Sequence, residues 1–187
     1  MPADLFYFIS SLPALRWGEK PPLSYNAFLA ACQEQLGSDL TAQLKAISLI
    51  PDGHPASTTL AAWEDWETYL RNTIAEIRAA KLRKSAAAWL RAGNGLYPGD
   101  RKRLEDALNQ PTPRDREQAV DLLRWQQLEQ LAAMHQFDVA ALELYTLKLL
   151  LSEKHAGRNL DAGKKAYQQL VEQGLNQAKE QQESTSA

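Results

Sequence analysis

The amino-acid sequence predicts an all-α protein. Apolar residues recur at helical spacing along most of the chain, and proline- and glycine-containing segments separate these stretches. The 187 residues are 44% hydrophobic and 24% charged, which is typical of a globular protein. We expect an elongated bundle of about six or seven helices that forms one domain over residues 1–176. Residues 177–187 carry no core pattern and are expected to form a frayed or disordered tail.

The first 23 residues differ in composition from the rest of the chain. Residues 5–9 are rich in aromatic and apolar side chains, and Pro13, Pro21 and Pro22 follow them. A strand over residues 5–9 would lack a partner strand, because no other segment has a strand pattern. The sequence therefore predicts that residues 1–23 form an extended arm packed across helices.

Helical segments follow this arm, bounded by residues that commonly begin or end helices. Ser24 and Asp138 are expected N-caps, and Gly37 is an expected stop. We predict helices over residues 25–36, 39–49, 59–91, 100–109, 115–135 and 139–155, with a last helix that begins at Asn159 or Asp161 and carries Tyr167, Leu170, Val171 and Leu175.

Two of these helices have distinctive apolar patterns. The segment 59–91 places Leu60, Trp63, Trp66, Leu70, Ile74, Ile77 and Trp89 on one face. Its length of about 50 Å at 1.5 Å per residue means that the protein is elongated or that the helix breaks. The segment 139–155 is apolar on nearly every side, which predicts a central position in the bundle.

Composition and charge exclude several classes of protein. The net charge of −2 gives no global attraction to nucleic acid or anionic lipid. Cys32 is the single cysteine, so neither an intrachain disulfide nor a cysteine-rich zinc site is expected. No apolar run is long enough to span a bilayer, and the N-terminal flank lacks the basic residues of a secretory signal. A cytoplasmic protein is expected.

No catalytic, cofactor-binding or metal-binding motif is recognisable. The three histidines belong to no HExxH or CxxC pattern, and the sequence contains neither a Walker motif nor a GxSxG turn. His135 shares the apolar side of its helix and is expected at the edge of the core. In the run WEDWE, we expect the carboxylates Glu64, Asp65 and Glu67 on the solvated face, because the tryptophans occupy the buried one.

Basic residues concentrate near the end of the long predicted helix and in the segment after it: Arg78, Lys81, Arg83, Lys84, Arg91, Arg101, Lys102 and Arg103. Cations near a helix C-terminus are favourable in themselves, so a solvated surface is one interpretation. Docking of an acidic protein surface is the second, and RNA binding is the third. All of these residues except Lys102 are our candidate partner-docking residues.

Several stretches, in order along most of the chain, resemble a bacterial family of unknown function. They are FYFISSLPAL from Phe6, PPLSYNAFL from Pro21, LRNTIAEIRAAKL from Leu70, residues 122–154, and LDAGKKAYQQLV from Leu160. Members of this family are typically encoded beside subunits of V/A-type ATPases. The chain departs from the family pattern at Gln136, where a more aromatic stretch is usual, and at residues 153–155, where Glu-Arg-Trp is common.

The resemblance implies protein partners rather than a reaction. A non-catalytic subunit or assembly factor of a bacterial V/A-type ATPase would fit, for example a central-stalk connector like the all-helical C subunit, held at the inner membrane through the complex. Catalysis and ion transport would then belong to other subunits. The alternative is a free-standing helical scaffold that binds an unrelated protein. An enzyme whose site is invisible to motif analysis is the third hypothesis.

Overall fold

The computed structural model describes residues 3–93, 95 and 97–158. This part of the chain contains no strand, and the all-α prediction is confirmed. Its seven α-helices are α1 (Ala3–Ser11), α2 (Tyr25–Leu36), α3 (Ser38–Ala46), α4 (Thr58–Lys81), α5 (Pro98–Leu108), α6 (Pro113–Ala132) and α7 (Val139–Ala156), with a short 3-10 turn at Ala87–Trp89. The predicted helix after Asn159 and the predicted tail at 177–187 lie outside the described residues.

Helix α7 lies at the centre of the bundle, as its all-round apolar pattern predicts. It contacts α2, α3, α4 and α6. Five of its leucines are at most 1% exposed: Leu142, Leu144, Leu147, Leu149 and Leu151. The buried apolar residues of α1 to α7 form one continuous cluster, so the described helices share a single core.

Three predicted helix boundaries are confirmed, two by hydrogen bonds of the capping side chains and one by a backbone angle. The Ser24 hydroxyl accepts a hydrogen bond from Ala27 N at 3.2 Å, and the Asp138 carboxylate accepts one from Ala141 N at 2.9 Å. Gly37 separates α2 from α3 at φ 88°, a backbone conformation that favours glycine. The predicted helix 100–109 starts too late, because α5 begins at Pro98, with this proline in its first turn.

The predicted extended arm is wrong for residues 3–11, which form helix α1. Leu5 and Phe8 are 5% and 2% exposed, whereas Tyr7 is 70% exposed. This i,i+3 spacing is helical, and burial of one face outweighs the strand preference of aromatic residues. The segment after α1 is irregular and does cross the bundle, since Tyr145 donates a hydrogen bond to the Pro13 carbonyl at 3.0 Å.

The predicted helix 59–91 is too long, because α4 ends at Lys81. Arg83 adopts φ 53°, and the N–H groups of Arg83 and Lys84 donate to the carbonyls of Ala80 and Ala79 at 3.1 and 2.9 Å. This is a Schellman-type helix end built on an arginine where glycine is usual. The 24-residue helix is about 36 Å long, so the reason for expecting an elongated protein no longer applies.

Trp89 is predicted on the buried face of the long helix, but it is 64% exposed, because it lies beyond the end of α4. Met134, which lies beyond the end of α6 at Ala132, is 84% exposed. Within the described residues, no helix combines the length and the apolar character needed to cross a bilayer.

Helix α1 should contribute to stability through Phe8, which packs against Phe28 with ring centroids 6.5 Å apart. We expect Phe8→Ala to lower the free energy of unfolding by about 3–5 kcal/mol, because it leaves a cavity in the core. The control Tyr7→Ala, on the exposed side of the same helix, should change it by less than about 0.5 kcal/mol. Urea unfolding measures both values, and equally small effects would contradict the docking of α1 as a helix.

Candidate functional site

Two fully buried carboxylates and one buried arginine connect α4 to α6. Glu67 on α4 and Asp121 on α6 are both 0% exposed, and Arg124 on α6 is 9% exposed. The Arg124 guanidinium donates two hydrogen bonds to Glu67, at 2.9 and 2.8 Å, and a third to Asp121 at 2.6 Å. Bidentate guanidinium–carboxylate pairs of this kind fix the relative position of the two helices.

The prediction that Glu67 lies on a solvated face is wrong. Glu67 follows Trp63 by four residues and precedes Leu70 by three, and both of these side chains are buried on the core face of α4. Helical geometry therefore places Glu67 on the same face. A carboxylate is stable there because Arg124 and Arg71 supply hydrogen bonds and positive charge. Arg71, four residues after Glu67 on α4, forms an ion pair with Glu67 at 2.7 Å.

Two further cations, one on α7 and one two residues beyond its end, contact the buried Asp121 carboxylate and the exposed Glu117. Lys154 lies 3.2 Å from Asp121 and 3.7 Å from Glu117. Arg158 lies 2.5 Å from Asp121 and 2.7 Å from Glu117. The network thus connects α4, α6 and the C-terminal end of α7.

The charges of this network perturb Asp121 and Arg124 in opposite directions. Burial alone would raise the pKa of Asp121, but the positive charges of Arg124, Lys154 and Arg158 outweigh it and hold the pKa below its ordinary value. Burial would likewise lower the pKa of Arg124, yet hydrogen bonds and charge from Glu67 and Asp121 raise it. Asp121 and Arg124 therefore both remain charged at neutral pH.

A basic groove of about 560 Å³ lies directly beside the buried network. Five cations line it, namely Arg71, Arg78, Arg116, Arg124 and Lys154. Its apolar lining comes from α4, α5 and α6 and includes Ile74, Leu108 and Val120. We call this feature the basic groove.

The basic groove carries an excess of positive charge. Its five cations and the adjacent Arg158 face three carboxylates, Glu67, Glu117 and Asp121, which leaves three positive charges uncompensated among the described residues. The whole chain has a net charge of −2, so this is a marked local asymmetry. Such a concave surface of one sign attracts acidic ligands.

Two exposed arginines that line the groove from different helices have no carboxylate partner among the described residues. Arg116, on α6, donates to the main-chain carbonyls of Gln110 and Pro111, at 2.6 and 3.3 Å. Arg78, on α4, has no side-chain hydrogen bond or ion pair within the described part of the chain. These two guanidinium groups are available to bind anionic groups of another molecule.

The structure distributes the seven candidate docking residues over several locations. Of these residues, Arg78 alone lines the basic groove. Lys81 donates to the Asn109 side chain at 3.2 Å, and Arg83 and Lys84 lie exposed beyond the end of α4. Arg91 donates to the Pro51 carbonyl at 3.2 Å.

The last two candidates are engaged in ion pairs on or near α5. Arg101 lies 2.9 Å from Glu76 and 3.3 Å from Glu105. Arg103 lies 2.9 Å from Asp100 and also donates to Gln126. Lys102, which belongs to the same sequence cluster, is exposed.

A second groove, of about 810 Å³, brings three carboxylates to one surface. Asp52 and Glu64 accept main-chain hydrogen bonds from His54 and Gly53, at 2.8 and 3.3 Å. Asp65 accepts hydrogen bonds from Gly95 N at 3.2 Å and the Tyr97 hydroxyl at 3.1 Å. These carboxylates hold the segments before and after α4 in place, which is a structural use of their charge.

Other polar groups have local structural roles. His135 is partly buried, as expected, and its Nδ1 lies 2.7 Å from Asp138, which caps α7. The buried Glu143 accepts a hydrogen bond from the N-cap residue Ser57 at 2.7 Å, and burial raises the pKa of Glu143. No group of three or more potential metal ligands is found among the described residues.

Most residues of the basic groove could not be predicted from the sequence. Arg71, Arg116, Arg124, Glu117 and Lys154 come from three helices that are far apart in the sequence, so no local charge run signals them. A partial signal existed in α6. Asp121 precedes the buried Trp125 and Leu128 at i,i+4 and i,i+7 spacing, which predicts a charged residue on a core face.

Comparison with known proteins gives a match to part of the chain, and this match carries no activity. Residues 100–177 match the family model described as "Protein of unknown function (DUF2764)". The match begins in α5 and includes α6 and α7, which carry Asp121, Arg124 and Lys154. It agrees with the resemblance to an uncharacterised family and contains no link to an ATPase. No curated protein matches the chain, and no solved structure matches it.

The low pKa of Asp121 predicts how the stability of the protein depends on pH in the acidic range. The folded-state pKa of Asp121 lies below the unfolded value of about 4. The ionised Asp121 carboxylate therefore contributes its full stabilisation above the unfolded pKa, and this stabilisation is lost as the pH falls through the folded-state pKa. We expect Asp121→Asn to be less stable than the wild type at pH 7, and the difference to shrink between pH 5 and pH 3. Urea unfolding across this range measures it, and a difference independent of pH would contradict the assignment.

Proposed function

We propose that the protein is a non-catalytic subunit or assembly factor of a bacterial V/A-type ATPase. It would act as a helical connector, like the C subunit of the central stalk, and would contact the other subunits through the basic groove. Its position would be cytoplasmic and peripheral to the inner membrane. Catalysis and ion transport would belong to its partners.

The basic groove is the observation that supports a binding role. Arg78 and Arg116 are exposed, carry charge and have no carboxylate partner among the described residues. Buried ion pairs hold the helices that carry them, so the groove is a preformed surface rather than a set of independent side chains. A surface of this kind accelerates and orients association with an acidic protein.

The ATPase part of the proposal rests on the sequence resemblance. The stretches from Phe6, Pro21 and Leu70 correspond to α1, α2 and the second half of α4, and residues 122–154 span α6 and α7. The resemblance therefore involves five of the seven described α-helices, namely α1, α2, α4, α6 and α7. It includes Arg71, Arg78, Arg124 and Lys154, four of the five cations that line the groove.

Affinity purification from native membranes tests this proposal. A tagged full-length chain, expressed in its own host and extracted in mild detergent, should co-purify rotary ATPase subunits in near-stoichiometric amounts, identified by mass spectrometry. An eluate that lacks these subunits, although the lysate contains them, would contradict the proposal. The free-standing scaffold would then be favoured, with its partner among the other recovered proteins.

A further inference from the structure

We propose that the basic groove binds an acidic amphipathic segment of the partner protein, in which an apolar side chain is flanked by carboxylates. This inference rests on the binding role proposed above and specifies the chemistry of the ligand. Three observations support this inference: the apolar lining of the groove, the arrangement of its charges, and a set of described lining residues that is poorly suited to nucleic acids.

The apolar lining of the groove explains the apolar side chain of the ligand. Ile74 on α4 and Leu108 and Val120 on α5 and α6 line one continuous cavity together with Ala75 and Pro113. Ile74 is only partly buried, although it packs against the core. An aliphatic side chain placed here would remove this apolar surface from water.

The charged rim explains the carboxylates. Arg78 and Arg116 lie on α4 and α6, so two different helices contribute them to the groove. Each guanidinium presents paired N–H donors that match the two oxygens of a carboxylate. Arg71 and Lys154, with side chains 36% and 39% exposed, add positive charge within the groove while they neutralise the buried carboxylates.

The same groove is poorly suited to nucleic acid. Among the described residues, no aromatic side chain lines the groove, so this lining offers no surface on which a base could stack. Glu117 lines the groove with its side chain 55% exposed and would repel a run of phosphates. A protein segment can place its carboxylates near Arg78 and Arg116 and keep them away from Glu117.

Fluorescence anisotropy with the purified full-length protein tests the inference. The probe is a labelled synthetic helical peptide in which leucine is flanked by glutamates one turn away on each side. The control peptide has glutamine in place of glutamate. We expect the glutamate peptide to bind, to weaken as salt is added, and to bind about tenfold more tightly than the glutamine peptide, which corresponds to about 1.4 kcal/mol.

Two variants with equal changes in charge separate the groove from the rest of the basic surface. Arg78→Glu with Arg116→Glu reverses the rim of the groove, whereas Lys84→Glu with Lys102→Glu reverses two exposed lysines outside it. We expect the first pair to weaken peptide binding by about tenfold or more and the second pair by less than about threefold. Circular dichroism and thermal unfolding check that each variant is folded, and Arg78→Gln with Arg116→Gln replaces the first pair if it is not.

Three results would overturn the inference: equal losses in the two variant pairs, equal binding of the two peptides, or binding of inorganic polyphosphate with no binding of the glutamate peptide.

The peptide assay uses the isolated protein, so its outcome is independent of the membrane purification. Co-purification of the ATPase by the groove variant, as efficient as with the wild type, would also overturn the groove inference. The assignment as an ATPase subunit would then stand, without the contact through the groove. If peptide binding is specific to the groove and no ATPase subunit is recovered, the reverse holds.

Discussion

Burial of the Glu67 and Asp121 carboxylates is the constraint on which this structure most depends. A buried carboxylate is strongly destabilising unless cations and hydrogen-bond donors accompany it. Arg124 satisfies both groups from one position, with contacts of 2.6 to 2.9 Å. Helices α4 and α6 can therefore pack in one register, in which the guanidinium lies between the two carboxylates. The C-terminal end of α7 is held to the same register through Lys154.

The basic groove follows from this arrangement. Neutralising two buried carboxylates draws Arg71, Lys154 and Arg158 to the same region, and the exposed Arg78 and Arg116 then add charge that has no carboxylate partner among the described residues. The buried ion pairs fix the helices that form the groove, and the exposed arginines supply positive charge that attracts acidic groups. Stability and the proposed binding role thus depend on neighbouring residues of the same helices.

The sequence predicted the elements of the fold better than it predicted the groove. Local signals were sufficient for the caps at Ser24 and Asp138 and for the central position of α7. They failed at the end of α4, because Arg83 occupies a left-handed position that glycine usually fills. They also failed for Glu67, where Trp63 and Leu70 indicated burial but the charge suggested solvent. Its compensating partner, Arg124, is 57 residues away, and only the tertiary fold brings them together.

A double-mutant cycle between Glu67 and Arg124 tests the central role of the buried pair most directly. We expect Glu67→Gln and Arg124→Met each to cost about 3–5 kcal/mol in urea unfolding, and the double variant to cost clearly less than their sum, with a coupling of about 2 kcal/mol or more. The matched cycle between Glu76 and Arg101, an exposed pair that also involves α4, should give a coupling below about 1 kcal/mol. Additive effects of Glu67→Gln and Arg124→Met would contradict the account.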